Sequence, residues 1–329
     1  MSEKSILVLS SSDVESCLSM PDAIEAMRGA FVQLSSGKAI VPQRIHTKIN
    51  EHDAMTLIMP VYLPSETKIG IKTVTVSNKN PEKGLPLIHA LVTVFDAETG
   101  QPLAIMDGAS LTAIRTGAAS GLATNLLARK DTRVAAIIGA GRQGRKQLEA
   151  VCAVRNIEKV YIIDRNPNQS EKFIYDFKDK IEVDLVAADD MDRLCEVDII
   201  CTATNSSEPV FGDNNVSNGT HINGVGSYTP EMQEIPLDTV ARSRIFVDSI
   251  TSNLEEAGDI IIPLRHGIIS EHDIVGEIGQ VASGEIEGRK SDDEITFFKS
   301  VGNAVQDLAA ASVVLKNACQ LRLGTKIRL

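Results

Sequence analysis

Val134-Ala-Ala-Ile-Ile138 runs directly into Gly139-Ala140-Gly141-Arg142-Gln143-Gly144, and the reading of this stretch decides the fold. An unbroken apolar run suits a buried strand, three glycines at fixed offsets suit a tight turn, and Arg145 to Val154 then has helical character. That is the strand, turn and helix context in which a G-x-G-x-x-G spacing acquires meaning. Gly139 permits the turn, Gly141 lets the backbone approach a pyrophosphate, and Gly144 lets helix and strand close. The helix start presents unpaired N–H groups to phosphates. Residues Gly139, Ala140, Gly141, Arg142, Gln143 and Gly144 are therefore expected to bind a dinucleotide. Asp164 follows the last glycine by about 20 residues, the offset of an acceptor for a ribose 2'-hydroxyl, which favours NAD. Arg165 beside it can pair with a 2'-phosphate, so NADP stays open.

Working outward, strand-like runs recur at Val160 to Ile163, Val183 to Val186, Asp198 to Cys201, His221 to Val225 and Ile245 to Val247, alternating with helical stretches. Such alternation predicts an α/β fold with a doubly wound parallel sheet of Rossmann type. Ligands of open α/β sheets gather at the carboxyl ends of the strands, so Thr202, Ala203, Thr204 and Asn205, and Val225 one strand further on, are expected along the cofactor groove. Upstream the texture differs. Ser19-Met-Pro-Asp22 reads as a helix start, with Ile24, Met27 and Phe31 following at helical spacing. From Val41 to Thr99, β-rich runs (Thr56 to Met59, Ile69 to Val76, Leu87 to Phe95) predict a mixed, largely antiparallel sheet. Ser110 to Arg129 reads as a connecting helix, and Asp307 to Leu321 as an Ala-, Val- and Leu-rich helix able to fold back on the first domain. The expected domains are a smaller α+β domain over 1–128, joined by 307–329, and a Rossmann domain over 129–306.

Composition limits the function. The 329 residues leave room for two cores, and a net charge of -11 opposes the phosphate backbone of a nucleic acid. A few local bases can still receive a small anion. The five cysteines, without any C-x-x-C spacing, argue against a disulfide framework or a zinc site, and fit a reducing compartment. The apolar run Ile6 to Leu9 is too short for a signal core or membrane span, so a cytoplasmic protein with no membrane partner is expected. No metal site is expected, because His266 and His272 do not share a helical face. His221 at a strand entry reads as structural, and Asp292-Asp293-Glu294 as the start of a helix or strand.

Several segments together resemble the ornithine cyclodeaminase and mu-crystallin family across essentially the whole chain. They are Pro42-Gln-Arg44, Gly70-Ile-Lys72, Lys83-Gly-Leu-Pro86, Leu111 to Ala118, Gly139 to Gly144, Gly219-Thr-His-Ile-Asn223, Gly276-Glu-Ile-Gly279 and Gly288 to Gly302. The resemblance implies that the first domain dimerises, that the protein is a homodimer, and that bound NAD(P) interconverts an amine and an imine next to a carboxylate. Such chemistry needs the carboxylate held so that C2 faces C4 of the nicotinamide.

Arg44, Lys72 and Arg115 match the family positions that clamp the substrate carboxylate, which makes them the expected catalytic and substrate-binding residues; a planar guanidinium offers a two-point hold. Arg115 lies in an otherwise small, apolar stretch, and a buried arginine there needs an anion. The resemblance also places Ser300, Val301 and Gly302 against the nicotinamide ring. In Gly226-Ser-Tyr-Thr-Pro-Glu-Met-Gln-Glu234, Tyr228 stands where cyclodeaminases carry an aspartate, and Leu87 replaces a polar family residue near the substrate. Without that acid, ornithine cyclisation loses its base, whereas a protonated cyclic imine already carries its activating charge. The expected activity is reduction of 1-pyrroline-2-carboxylate to L-proline, or of its six-membered homologue 1-piperideine-2-carboxylate, with Tyr228 in the substrate site. Alanine dehydrogenase (pyruvate plus ammonia), ornithine cyclodeaminase, and a non-enzymatic binding role like that of mu-crystallin remain as alternatives.

Overall fold

The computed structural model describes residues 5–328. After a first strand, β1 (Ser5–Leu9), the chain forms α1 (Ser11–Cys17) and α2 (Met20–Ser35). The α2 start follows from its sequence: the Ser19 hydroxyl accepts the Asp22 amide at 3.3 Å, and Pro21 occupies the first turn, where no amide partner is needed. An antiparallel meander follows, β2 (Ile45–Ile49), β3 (Ala54–Leu63), β4 (Lys68–Ser77), β5 (Ile88–Asp96) and β6 (Pro102–Asp107), before the long α3 (Gly108–Leu127). On β4 the period of two turns Gly70, Lys72 and Val74 inward and Ile69, Ile71 and Thr73 outward.

Past α3 the alternation read from the sequence takes shape as β7 (Val134–Ile138), α4 (Arg142–Val154), β8 (Lys159–Ile163), α5 (Pro167–Phe177), β9 (Asp184–Ala187), β10 (Ile199–Thr202) and β11 (His221–Gly224). It continues with α6 (Leu237–Ala241), β12 (Ser243–Val247), α7 (Ile250–Glu256), α8 (Gly258–Arg265), β13 (Ile274–Glu277), α9 (Ile278–Ser283) and β14 (Ile295–Lys299). These strands build an eight-stranded sheet in the order β13-β12-β14-β11-β10-β7-β8-β9, with every neighbouring pair parallel. Order reverses around β7: β8 lies on one side and β10 on the other, the topological switch point where such sheets take ligands. Of the strands of this sheet, β13 is not foreseen from the sequence, and β14 is foreseen only as the helix or strand that Asp292-Asp293-Glu294 starts. β13 is short and holds a glycine. β14 has Thr296 and Lys299 among its apolar residues, although all five of its residues are buried between β11 and β12.

The chain ends with α10 (Ala304–Leu321) and β15 (Thr325–Arg328), which return to the first sheet. That sheet has the order β15-β1-β6-β5-β4-β3-β2; β15 is antiparallel and β6 parallel to β1. Helix α10 packs on β3, β4 and β5 and beside α2. Gly70 permits this approach, since a Cβ there would stand 3.1 Å from Leu308.

One compact unit runs to Arg115 and resumes at Asn303; the other is Thr116–Gly302. From the sequence the junctions are expected after 128 and after 306. The differences have local causes. The later part of α3 packs inside the second unit, where a Cβ on Gly117 would sit 2.5 Å from the Lys146 carbonyl oxygen. Asn303 and Gln306 form the capping box that starts α10, so they belong with that helix.

Arg155 anchors the end of α3. Its guanidinium donates to the carbonyls of Thr124 (2.9 Å), Ala128 (3.0 Å) and Arg129 (2.9 Å), in the region of partial negative charge at a helix C-terminus. Arg289 adds a bond to the Leu127 carbonyl at 2.6 Å. Replacing Arg155 by Met should lower stability by about 2 kcal/mol, since several charge-assisted bonds are lost together; chemical denaturation of the two proteins side by side measures it.

Candidate active site

In the first unit, three segments converge on one carboxylate. Asp307, in the first turn of α10, accepts from Lys72 Nζ of β4 at 3.0 Å and from Arg115 Nε of α3 at 2.8 Å, all through Oδ1. Arg115 Nη1 also donates to Gln306 Oε1 at 3.0 Å, and that oxygen accepts the Asn303 amide at 2.7 Å. Lys72, Arg115 and Asp307 are all buried, at 4%, 5% and 1% exposure. Asp307 Oδ2 and Gln306 Nε2 have no hydrogen-bond partner among the described residues, so the cluster keeps capacity for a ligand. Arg44, just before β2, is half-buried, and its charge is felt at Lys72.

The electrostatics follow from burial. Desolvation pulls the Lys72 ammonium down to about 8; Asp307 opposes the shift, and Arg115 and Arg44 add to it. Burial works against the Asp307 carboxylate too, but Arg115 and Lys72 outweigh it and hold its pKa below the ordinary value. The anion that a buried Arg115 requires is thus supplied in part by the protein itself. Asp307 was legible only as the acid that opens an otherwise apolar helix, and Gln306 falls just before the helix as read from the sequence.

In the second unit the glycine turn leaves β7 and enters α4. Gly139 has φ 103°, and a Cβ there would lie 2.6 Å from the Ala203 carbonyl oxygen. A Cβ on Gly144 would run into the Gly139 carbonyl oxygen. At Gly141 an added Cβ meets nothing within 4 Å, so the turn is open on that side. Gly141 caps α4 with no side-chain hydrogen bond, which leaves the helix N-terminus to a ligand, and Arg142 and Gln143 lie in its first turn. These features fit a pyrophosphate. Asp164, at the end of β8, accepts the Ala140 amide through Oδ2 and the Asn166 amide through Oδ1, each at 2.9 Å, and so is fastened to the turn; Arg165 is exposed beside it. An ionised carboxylate retains further lone pairs for a ribose hydroxyl.

Along the exits of β10 and β11, the expected groove residues divide. Thr204 and Ala203 are half-buried, as is Val225, and Asn205 is exposed, whereas Thr202 is fully buried and donates its hydroxyl to Glu234 at 2.9 Å. Tyr228 is 48% exposed. The turn Ser300-Val301-Gly302 is shaped by a residue the sequence did not single out: Asp248 Oδ2 accepts the Ser300 hydroxyl at 2.7 Å and the amides of Val301 and Gly302 at 3.1 and 2.8 Å. Only an acid at the end of a strand hinted at it.

Other titratable groups are accounted for structurally. His221 is fully buried between the Thr296 hydroxyl (2.9 Å) and Asn223 Oδ1 (3.2 Å), and burial, with Arg289 nearby, depresses it to about 3, so the imidazole is neutral. Burial pushes the Cys152 and Cys201 thiols up to about 12. Among the described residues no group of histidine, cysteine and acidic side chains could hold a metal ion, and no helix is long and apolar enough to cross a membrane.

Residues 4–321 match the ornithine cyclodeaminase/mu-crystallin family. The chain belongs to this family. Among its relatives, a Delta(1)-pyrroline-2-carboxylate reductase from Bacillus cereus is 39% identical over 98% of this chain and 99% of that one. The structure of the Thermococcus litoralis Delta(1)-pyrroline-2-carboxylate reductase in complex with NADH and L-proline is 41% identical, covers 98% of this chain and all of that one, and superposes with a TM-score of 0.94. An archaeal alanine dehydrogenase dimer with bound NAD is 35% identical, covers 99% of both chains and has a TM-score of 0.91. Of the family positions expected to clamp a carboxylate, Lys72 and Arg115 share one carboxylate partner in the first unit, with Arg44 close enough to act on Lys72 electrostatically.

The lowered Lys72 pKa has a measurable sign. Between about pH 8 and its ordinary 10.5, the unfolded chain holds a proton on this lysine that the folded chain has released, so stability rises with pH across that window. Lys72→Met should remove that rise, on the order of 3 kcal/mol at most, and denaturant midpoints of both proteins from about pH 7 to pH 10.5 isolate it.

Proposed function

We propose that this protein is an NAD(P)H-dependent reductase of cyclic imine carboxylates, converting 1-pyrroline-2-carboxylate to L-proline and accepting the six-membered 1-piperideine-2-carboxylate. The observation that carries this reading is a charge imbalance. Two buried cations, Lys72 and Arg115, face one buried carboxylate. A buried excess of positive charge is costly unless an anion completes it, and a substrate carboxylate does so. The 39%- and 41%-identical relatives named for this activity support the same choice.

Each residue has a definable task. Arg115 and Lys72 hold the carboxylate, and Asp307 keeps their heads fixed, so binding costs little reorganisation. Residues Gly139 to Gly144 would hold the pyrophosphate and Asp164 the adenosine ribose, which favours NAD; exposed Arg165 keeps NADP in play. When bound, the reduced nicotinamide supplies a hydride to the imine carbon. The ring nitrogen arrives protonated and leaves as a neutral amine that takes up a proton from water, so the reaction needs no strong acid at Tyr228. Tyr228 is offered as a substrate-site residue, with Ser300, Val301 and Gly302 along the nicotinamide and Thr204, Ala203 and Val225 on the groove wall. Alanine dehydrogenase is the second reading, favoured by the archaeal relative and by the same need for a carboxylate clamp.

Absorbance at the reduced-nicotinamide band discriminates these readings with purified protein. Fast NADH or NADPH oxidation is expected with 1-pyrroline-2-carboxylate. Turnover only with pyruvate and ammonia would make the protein an alanine dehydrogenase, and ammonia release from ornithine with NAD would reverse the inference from Tyr228.

We also propose a cytoplasmic homodimer that pairs through the outer face of the first sheet. Ile58, Ile69 and Ile71 on this face are half-buried and Ile45 and Leu91 are 56% and 55% exposed, an apolar surface opposite the one covered by α10. Ile71→Glu should shift the protein from dimer to monomer in size-exclusion chromatography with light scattering; an unchanged dimer would place the interface elsewhere.

A further inference from the structure

Glu234 lies in the second unit after β11, fully buried, and its two carboxylate oxygens receive four donors. Oε1 accepts the Thr204 amide at 2.6 Å and the Thr204 hydroxyl at 2.8 Å; Oε2 accepts the Thr202 hydroxyl at 2.9 Å and the Gly226 amide at 2.8 Å. One side chain therefore fastens the turn after β10 to the turn after β11. Its own backbone is fixed as well: Asp259 Oδ1, at the start of α8, accepts the Glu234 and Ile235 amides at 2.7 and 3.0 Å, and Lys299 Nζ stands 3.2 Å from Asp259 Oδ2. All three charged residues are at 0% exposure.

Such a cluster is expensive to bury for structure alone. Burial and the neighbouring Asp259 raise the Glu234 pKa, with Lys299 acting the other way. The ionised form is nonetheless the one that can accept from both amides and both hydroxyls at once. Two carboxylates against a single lysine leave a negative excess, and apolar residues of similar volume would be as stable or more so. What the carboxylate achieves that an apolar side chain cannot is the fixed spacing of two loops.

The position of those loops gives that spacing a use. Pyrophosphate belongs over the β7 turn, and Asp164 on the β8 side marks the adenosine ribose. The nicotinamide half then extends to the opposite side of β7, over the exits of β10 and β11. A Cβ on Gly139 would meet Ala203 and Thr204, so the Glu234-held turn abuts the phosphate turn directly.

We propose that Glu234 is a positioning residue for the nicotinamide half of the cofactor: acting through Thr202, Thr204 and Gly226, it fixes the groove wall on which that half rests. The proposal rests on the dinucleotide reading above, and its test is a binding measurement that needs no substrate. NADH, followed by its own fluorescence, and ADP-ribose, followed by calorimetry, are titrated into wild-type protein, Glu234→Gln and Thr202→Val. ADP-ribose carries the adenosine and pyrophosphate but lacks nicotinamide.

Glutamine offers an NH2 group where the site supplies only donors, so Glu234→Gln should weaken NADH tenfold or more while ADP-ribose stays within twofold. Thr202→Val keeps a β-branched residue in β10 and removes only the buried hydroxyl that Glu234 accepts; a threefold to tenfold loss for NADH alone is expected, and this variant decides the matter if Glu234→Gln does not fold. Equal losses for both ligands would make the cluster a general structural element and overturn the proposal, as would wild-type affinity for both. Wild-type protein binding neither ligand would instead overturn the dinucleotide reading, and this proposal with it.

Discussion

Asp307 Oδ1 sits between the Lys72 ammonium and the Arg115 guanidinium, and much of the first unit is arranged to allow it. The three residues come from a sheet strand, the connecting helix and the returning helix, the two cations standing 235 and 192 positions from the carboxylate. Neither cation would be tolerable at its depth without this partner, since removing one member of a buried pair typically costs about 3–5 kcal/mol. Gly70 serves the same end two residues away on the same face of β4, where the missing side chain admits Leu308 and so sets Asp307 at the level of Lys72. Packing and electrostatics thus meet in a single register between α10 and the sheet.

A comparable solution recurs in the second unit with neutral donors in place of cations. There a carboxylate is the group to be held, and donors from two turns surround it, while Asp248 does the same for the turn at Ser300 to Gly302. Backbone amides at strand exits are the natural partners for buried acids, because the turn itself leaves them without a ladder. In a parallel sheet those exits also carry the ligand site, so acids that complete the turns stand directly behind it.

The glycine turn and the alternation after it were legible because both depend on local chemistry: a φ of 103° at Gly139 requires glycine, and a strand buried on both faces requires an apolar run. β14 was legible only as the start of a helix or strand, since Lys299 ends it and only a partner far earlier in the chain, Asp259, makes a lysine acceptable in the centre of a sheet. Of the candidate cations, Arg115 was visible as a residue out of place in its surroundings, while Arg44 and Lys72 were marked by the family resemblance. Their counter-ion was not, for an acid near a helix start is also an ordinary feature of helices. Long-range electrostatic partners leave no periodic trace, and Asp248, Glu234 and Asp307 share that property. The membership of the family, by contrast, was readable from motifs spread along the chain.

The return of α10 and β15 to the first sheet bears on how the protein is made. Thr116–Gly302 is contiguous and can collapse as it leaves the ribosome, but the first unit is split around it. Strand β1 must wait for β15 to cover its edge, and Lys72 and Arg115 must wait for Asp307. During translation the early segment is therefore a set of strands with an open edge and unmatched charges.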